Sequence, residues 1–327
     1  MYAYLARRVA LALLTLLMIT FVVYALIRHI PGTPLTSDPG IMNSARMMSP
    51  ADIERLNRLY GLDKPWYQAY FVWLGNVVRG DLGRSIPQNN RPVSWLILDR
   101  MPATLMLSTT SLVLTYLISI PIGLWATVRS GTFRERAVST VLYMLYSLPA
   151  FVAALYLQLL FFSHLHWLPL FGMTSDNYDS LSIAGRAWDL LKHAILPIIC
   201  FTYGSLAYYS RFVHANMEEV MRQDYIRTAR AKGLPPGRVI WHHAFRNTLI
   251  PLVTLLGLSL PHLLGGAVIL EQIFAWPGMG RLFFEALSQH DYDTIMGLTL
   301  MFSVLTLLGQ LLADVLYAVV DPRVTYQ

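Results

Sequence analysis

Uncharged apolar runs, each near the thickness of a bilayer's hydrocarbon core, recur along the chain: Val9 to Ile27, Met101 to Val128, Ala137 to Ser163, Ala194 to Ser210, Asn247 to Leu270, and Thr294 to Ala313, the last continuing past Asp314 to Val320. A helix needs about 20 such residues to cross. The pattern therefore predicts six membrane-spanning helices, the fourth being the shortest. Pro121, Pro149, Pro197, Pro251 and Pro261 fall inside these runs. Membrane helices tolerate proline where neighbours re-satisfy the freed carbonyls, so kinked spans are expected. The first run follows Arg7 and Arg8, is too long for a removable leader and lacks a small-residue cleavage site, so it reads as a retained anchor.

The polar stretches between the runs carry their own elements. In the long segment from Ile30 to Arg100, Ser49-Pro50-Ala51-Asp52 reads as a helix start, Ile53, Leu56 and Leu59 repeat at helical spacing, and Gly61 ends the pattern. A short amphipathic helix resting on the outer membrane face or on a partner is expected there. In the segment from Arg211 to Arg246, Asp224 can cap a helix starting at Tyr225. Gly233, after Lys232, can end it in a left-handed turn, leaving about eight helical residues, or about 12 Å. Pro235-Pro236-Gly237 then forces a turn. The result is a short rigid helix that mixes small residues (Thr228, Ala229, Ala231) with Arg227, Arg230 and Lys232, a shape that suits a partner's cleft.

Composition narrows the class. Hydrophobic residues make up 55% and charged residues 13% of 327 positions, against about 45–50% and 25% in an ordinary soluble domain. Such a chain cannot cover its apolar surface in water, which excludes a soluble enzyme, a nucleic-acid binder and a disordered regulator. The net charge of +6 marks topology instead. With a cytoplasmic N-terminus, the inner tails and loops carry thirteen basic residues: Arg7, Arg8, Arg129, Arg134, Arg136, seven from Arg211 to Arg246, and Arg323. The short outer loops carry three, Arg186, Lys192 and Arg281. Lys and Arg resist translocation, so both termini are expected in the cytoplasm. The single cysteine, Cys200, excludes an intrachain disulfide and four-cysteine metal sites.

Catalytic signatures are missing. The sequence holds no HExxH zinc pair, no GxSxG nucleophile turn and no GxxxxGK[ST] phosphate loop. The pairs His164/His166 and His242/His243 lack carboxylate or cysteine ligands at metal-binding spacing and read as interfacial packing. No enzymatic step, cofactor or metal is expected of this chain. An ion-driven secondary transporter is the alternative class, but such proteins place ionisable sites near the midplane, and here the spans hold almost no charge except Asp314, near the inner end of the last.

Asp224-Tyr225-Ile226-Arg227-Thr228-Ala229-Arg230-Ala231-Lys232-Gly233-Leu234, followed by His243-Ala244-Phe245-Arg246-Asn247 and Pro251, closely resembles the cytoplasmic signature of dipeptide and oligopeptide ABC-transporter permeases. Tyr60-Gly61-Leu62-Asp63, Gly80-Asp81-Leu82-Gly83-Arg84-Ser85, Pro102-Ala103-Thr104 and the stretch from Glu271 to Arg281 (EQIFAWPGMGR) look like the same family. The resemblance covers nearly the whole chain. One departure stands out: the broad importer motif begins Glu-Ala-Ala six residues before its glycine, whereas Arg227-Thr228-Ala229 occupies those places here.

What the resemblance implies is an all-α inner-membrane subunit with an anchor helix (1–30), an outer loop (31–100) and a five-helix core (101–327) containing a coupling segment (211–248). The implied partners are a second homologous permease, two cytoplasmic ATPases that bind ATP and Mg, an external solute-binding protein and the lipid bilayer; nucleic acid is not among them. Residues Asp224, Tyr225, Arg227, Thr228, Ala229, Arg230, Ala231, Lys232 and Gly233 would meet the ATPase. Small, weakly polar positions of the fifth run, Gly257, Ser259, His262, Gly265 and Gly266, are expected to line the path. Peptides are the expected cargo; nickel and glutathione systems share this permease type.

Overall fold

The computed structural model describes residues 2–31, 51, 54, 63–265 and 267–320, with the backbone alone at 2–6, 250, 258, 260–262, 264 and 312–320. The amphipathic helix expected between Ser49 and Gly61 lies outside the described residues, apart from Ala51 and Glu54. Among the described residues the chain is helical except for one two-stranded hairpin.

Helix α1 (Tyr2–His29) has no acid in its first turn and carries Arg28 and His29 in its last, as the helix dipole favours. It packs on α2 (Trp66–Val78), where the Thr20 and Tyr70 hydroxyls are 3.1 Å apart and Phe21 meets the Tyr70 ring edge-on. Strands β1 (Arg84–Ser85) and β2 (Arg91–Pro92) pair antiparallel and lead into α3 (Val93–Val128). Next come α4 (Phe133–Ser147) and α5 (Ala150–Gln158), the latter continuing as a π-turn through His164. The remaining elements are a 3-10 turn Tyr178–Ser180, α6 (Ile183–Met221), α7 (Asp224–Ala231), a one-turn helix Pro236–Arg238 with a π-turn Val239–Phe245, α8 (Arg246–Gly265), α9 (Val268–Ile273), α10 (Met279–Ser288) and α11 (Tyr292–Val320).

Four single helices, α1, α3, α6 and α11, are long and apolar enough to cross a membrane, and the bent pair α4–α5 makes a fifth crossing if counted as one span. The expected third run is thus not straight: it turns by 92° at Leu148-Pro149. Leu148 is extended (φ −80°, ψ 119°), the conformation a following proline imposes. By contrast, helix runs unbroken through Pro102 and Pro121 in α3 and through Pro197 in α6, so a proline in a span does not by itself interrupt it. The fourth run, expected to be the shortest, lies in the longest helix, of 39 residues. Charged residues near both ends, from Arg186 to Lys192 and from Arg211 to Glu219, end the apolar pattern but not the helix. The fifth run falls on two separate elements, α8 and α9.

The long helices α3 and α6 form the spine. A Cβ on Gly123 of α3 would come 2.6 Å from Val213 Cβ and 2.8 Å from the Ser210 carbonyl oxygen of α6. Only glycine allows that approach.

At one end of the spine, the stretch from Glu271 to Arg281 closes over the start of α3. Glu271 is fully buried; its carboxylate accepts the Thr104 hydroxyl at 2.9 Å and the Arg281 backbone N–H at 3.0 Å. Thr104 in turn accepts the Met279 N–H at 2.8 Å, and the buried Trp276 indole donates to the Ala103 carbonyl at 2.9 Å. Gly280 leaves no room for a side chain, since a Cβ there would sit 2.8 Å from Val268 Cα. Close by in the chain, buried Asp291 accepts hydroxyls from Ser85 and Thr294, and Asp293 accepts the Arg84 N–H at 3.2 Å, so the hairpin is tied to the head of α11. Burial pushes the Glu271 and Asp291 carboxyls above the usual carboxylate range, against the opposite pull of their donors.

Candidate functional site

The short helix expected between the fourth and fifth runs is α7, of eight residues. It starts one residue earlier than predicted. Gln223 occupies the cap position without a side-chain cap bond, and Asp224 is the first helical residue, where its charge suits the N-terminal dipole but its side chain caps nothing. Instead, Asp224 Oδ1 lies 3.5 Å from the Arg227 guanidinium, a pair exposed at 95% and 77% and so worth little in stability. The other end closes as expected. Gly233 has φ +73°, Lys232 N–H donates to the Thr228 carbonyl at 3.0 Å, and Leu234 N–H reaches back to the Ala229 carbonyl at 3.4 Å, which satisfies the last carbonyls of the helix.

Two of the eight residues face inward. Ile226 is fully buried and Ala229 nearly so, in a cluster with Leu124 of α3, Val213 and Met217 of α6, Val239, Ala244, and Leu252 of α8. Ala229, expected among the small residues open to a partner, is therefore part of the anchor. Asp224, Tyr225, Arg227, Thr228, Arg230, Ala231, Lys232 and Gly233 are exposed. Asn247 Nδ2 donates to the Tyr225 hydroxyl at 2.7 Å, fixing that ring to the first turn of α8. Thr248, buried beneath the helix, donates to Met217 Sδ at 3.2 Å or to the Ala244 carbonyl at 3.1 Å. The arrangement is a knob: an apolar underside keyed to three long helices, and a cationic upper surface with no covering element among the described residues.

The second candidate site is the path. Gly257 is buried, Ser259 and Gly265 are partly buried, and the His262 side chain and Gly266 lie outside the described residues. Ser259 lines a cavity of about 270 Å³ together with Ser108, Ser111 and Thr115 of α3 and Ser205 and Tyr209 of α6. The hydroxyls of Ser108, Ser119 and Ser210 are buried with no hydrogen-bond partner among the described residues. The described glycines of the fifth run, Gly257 and Gly265, are not among the cavity's lining residues. The α3 hydroxyls were missed in the sequence, although a signal exists: Ser108, Ser111, Thr115 and Ser119 recur every three or four residues, one stripe along the helix.

No group of three or more metal-ligating side chains occurs among the described residues. His242, exposed, and His243, half-buried, meet edge to face 5.7 Å apart on the π-turn.

The family described as "Binding-protein-dependent transport system inner membrane component" matches residues 119–326, and its N-terminal counterpart matches residues 1–108. The oligopeptide transport system permease protein AppB of Bacillus subtilis (strain 168) is 39% identical over the full length of both chains. The di/tripeptide transport system permease protein DppB of Pseudomonas aeruginosa (strain UCBPP-PA14) is 37% identical and the dipeptide permease DppB of Escherichia coli (strain K12) 36%, again over both whole chains. Among solved structures, a chain of the MetNI methionine ABC transporter in an inward-facing conformation superposes with a TM-score of 0.52 over 70% of this chain and 97% of that one, at 18% identity. That likeness concerns the fold.

Proposed function

The chain belongs to the family of binding-protein-dependent transport system inner membrane components and is a multi-pass permease subunit; from that premise we propose that it moves peptides inward through an ATP-driven complex. The observation that carries the reading is whole-length identity of 36–39% to permeases named for oligopeptides, di/tripeptides and dipeptides. In this reading the chain works with a second homologous permease, two cytoplasmic ATPases that bind ATP and Mg, and an external solute-binding protein. It crosses six times with both termini inside, and it performs no covalent chemistry itself.

The knob supports a mechanical role. A force on the exposed face of α7 reaches α3, α6 and α8 through Ile226 and Ala229, because a close-packed interior transmits displacement instead of absorbing it. ATP and a loaded binding protein can each shift the permease only through unequal affinity for its two arrangements. The hydroxyl-lined cavity offers donors and acceptors without ionised groups, which suits peptide backbones irrespective of side chain.

The deciding experiment reverses two exposed charges, Arg227→Glu with Arg230→Glu. Like-charge contacts at an interface cost several kcal/mol, so the purified variant should insert normally yet lose ATPase co-purification and peptide-stimulated hydrolysis. Unchanged values for both would overturn the coupling role. Orientation has its own check: Asn43→Cys should react with an impermeant maleimide from outside, against a low background because the natural Cys200 is buried. Labelling only after the inner membrane is opened would reverse the topology.

A further inference from the structure

Between α4 and the half of α6 that leads to α7 lies a cleft of about 910 Å³, separate from the hydroxyl-lined cavity and from the knob. Its volume falls in the range of small-ligand sites, about 300–1,000 Å³. Both signs of charge line it. From α6 come Arg211, His214 and Glu218, three and four residues apart and so on one face. From α4 come Glu135 and Arg136, with Tyr143 two turns further on.

The charges are arranged along the cleft's length. Glu218 accepts the Ser130 hydroxyl at 2.6 Å and lies 3.8 Å from His214 Nε2, while Glu135 accepts the Ser139 hydroxyl at 2.8 Å. Both carboxylates are thus held in place at the end of the cleft near the α3–α4 turn. Arg211 sits at the other end, its guanidinium carbon 4.3 Å from the centre of the Tyr143 ring, and it forms no ion pair among the described residues. Seven residues of helix separate Arg211 from Glu218, about 10 Å at 1.5 Å per residue. An extended peptide covers about 3.3–3.6 Å per residue, so three residues span the same distance.

We propose that this cleft binds a short zwitterionic peptide of about three residues, its C-terminal carboxylate on Arg211 and its N-terminal ammonium between Glu218 and Glu135. The inference rests on the peptide reading above and adds a place where cargo is held by its termini. The guanidinium is planar and backed by an aromatic face, the form in which arginine grips a carboxylate at two points. Tyrosine rings on both walls give apolar contact with polar tips, which suits varied side chains. An ethanolamine phospholipid also carries both charges, but only an ethylene unit apart, too short to bridge Arg211 and Glu218.

The test uses the full chain in phosphatidylcholine nanodiscs with radiolabelled tri-L-alanine. Saturable binding is expected. Arg211→Gln should weaken tri-alanine tenfold or more and leave its C-terminal amide unaffected, whereas Glu218→Gln should weaken tri-alanine and spare the N-acetyl form. Each variant keeps one ligand at wild-type affinity, which separates loss of a charge contact from loss of the fold. The proposal is overturned if wild type shows no saturable binding, if N-acetyl-tri-alanine amide binds as well as the free peptide, or if phosphatidylethanolamine in the disc displaces tri-alanine. Peptide import that persists unchanged in both variants, within the whole complex, would sink the cleft and leave the permease reading intact. Tri-alanine bound at the cleft of a complex that imports no peptide would sink that reading and leave the cleft.

Discussion

The two ends of the α3–α6 spine are held by opposite physics. At the end where the chain runs from Glu271 to Arg281, a fully buried carboxylate gathers the Thr104 hydroxyl and the Arg281 N–H, and a second buried acid, Asp291, ties down Ser85 and Thr294. At the other end α7 is seated by Ile226 and Ala229 on apolar side chains, with every charge turned outward. Directional bonds in a dry site fix one geometry and fail when one partner is lost. Apolar contacts have no direction, so the seat fixes the knob by close packing, to which the Asn247–Tyr225 bond at 2.7 Å adds one directional tie to α8. The lesson is that one helical frame can be held at one end by directional bonds and at the other by apolar packing.

Removing the lock should produce the largest effect. Glu271→Ala leaves two donors buried without an acceptor, at a cost of about 3 kcal/mol or more, to be read as a lowered Tm of the purified protein and a poor yield in membranes. Glu271→Gln keeps an acceptor and should lose less. The same pair tests the pH response. The folded Glu271 carboxyl holds its proton more tightly than the unfolded one, so stability should fall as pH rises from the usual carboxylate value through the raised one, and level off above it. That fall should be smaller in Glu271→Gln, with Asp291 contributing what remains. Equal pH curves for wild type and Glu271→Gln would show that the locked end does not depend on this proton.

At the apolar end, Ile226→Ala removes a fully buried side chain and should cost about 2–4 kcal/mol through the cavity it leaves. Transport should fall further than stability does, because the knob would be loosened on the three helices it touches; a Tm loss with full transport would deny the seat any role in transmission. The smallest effect is expected at Gly233, where a Cβ would meet nothing within 4 Å. Only its φ of +73° resists a side chain, about 1–2 kcal/mol for a β-branched one. Gly233→Val should therefore insert and fold but reduce peptide uptake several-fold by re-aiming the helix end, whereas Gly233→Asn should be mild. Wild-type uptake in Gly233→Val would show that the knob's aim does not matter.

How far the sequence could be read follows from the same contrast. Local signals were legible: the eight residues of α7, its glycine stop, the proline turn after it and the apolar runs all depend on neighbours within a few positions. Features that depend on distant partners were not. Nothing near Ala229 says which face the fold will bury, and the length of α6 was hidden because charged residues at its ends interrupt hydropathy without interrupting hydrogen bonding. The bend at Pro149 looked no different in sequence from the unbroken passage at Pro121 and Pro197. The role of Glu271 has no local signal, since its buried site is completed by Thr104, 167 positions earlier in the chain. The hydroxyl stripe of α3 is a local signal as well, legible in the helical spacing of its Ser and Thr.

The 39 residues of α6 form one uninterrupted rod, about 58 Å long at 1.5 Å per residue, nearly twice the depth of the hydrocarbon layer. A stiff rod pivoting near its middle carries its ends in opposite directions, and by equal amounts. Leverage of this kind exchanges an opening on one side of a membrane for a closure on the other within a single motion, and no signal has to be relayed from residue to residue between the two faces.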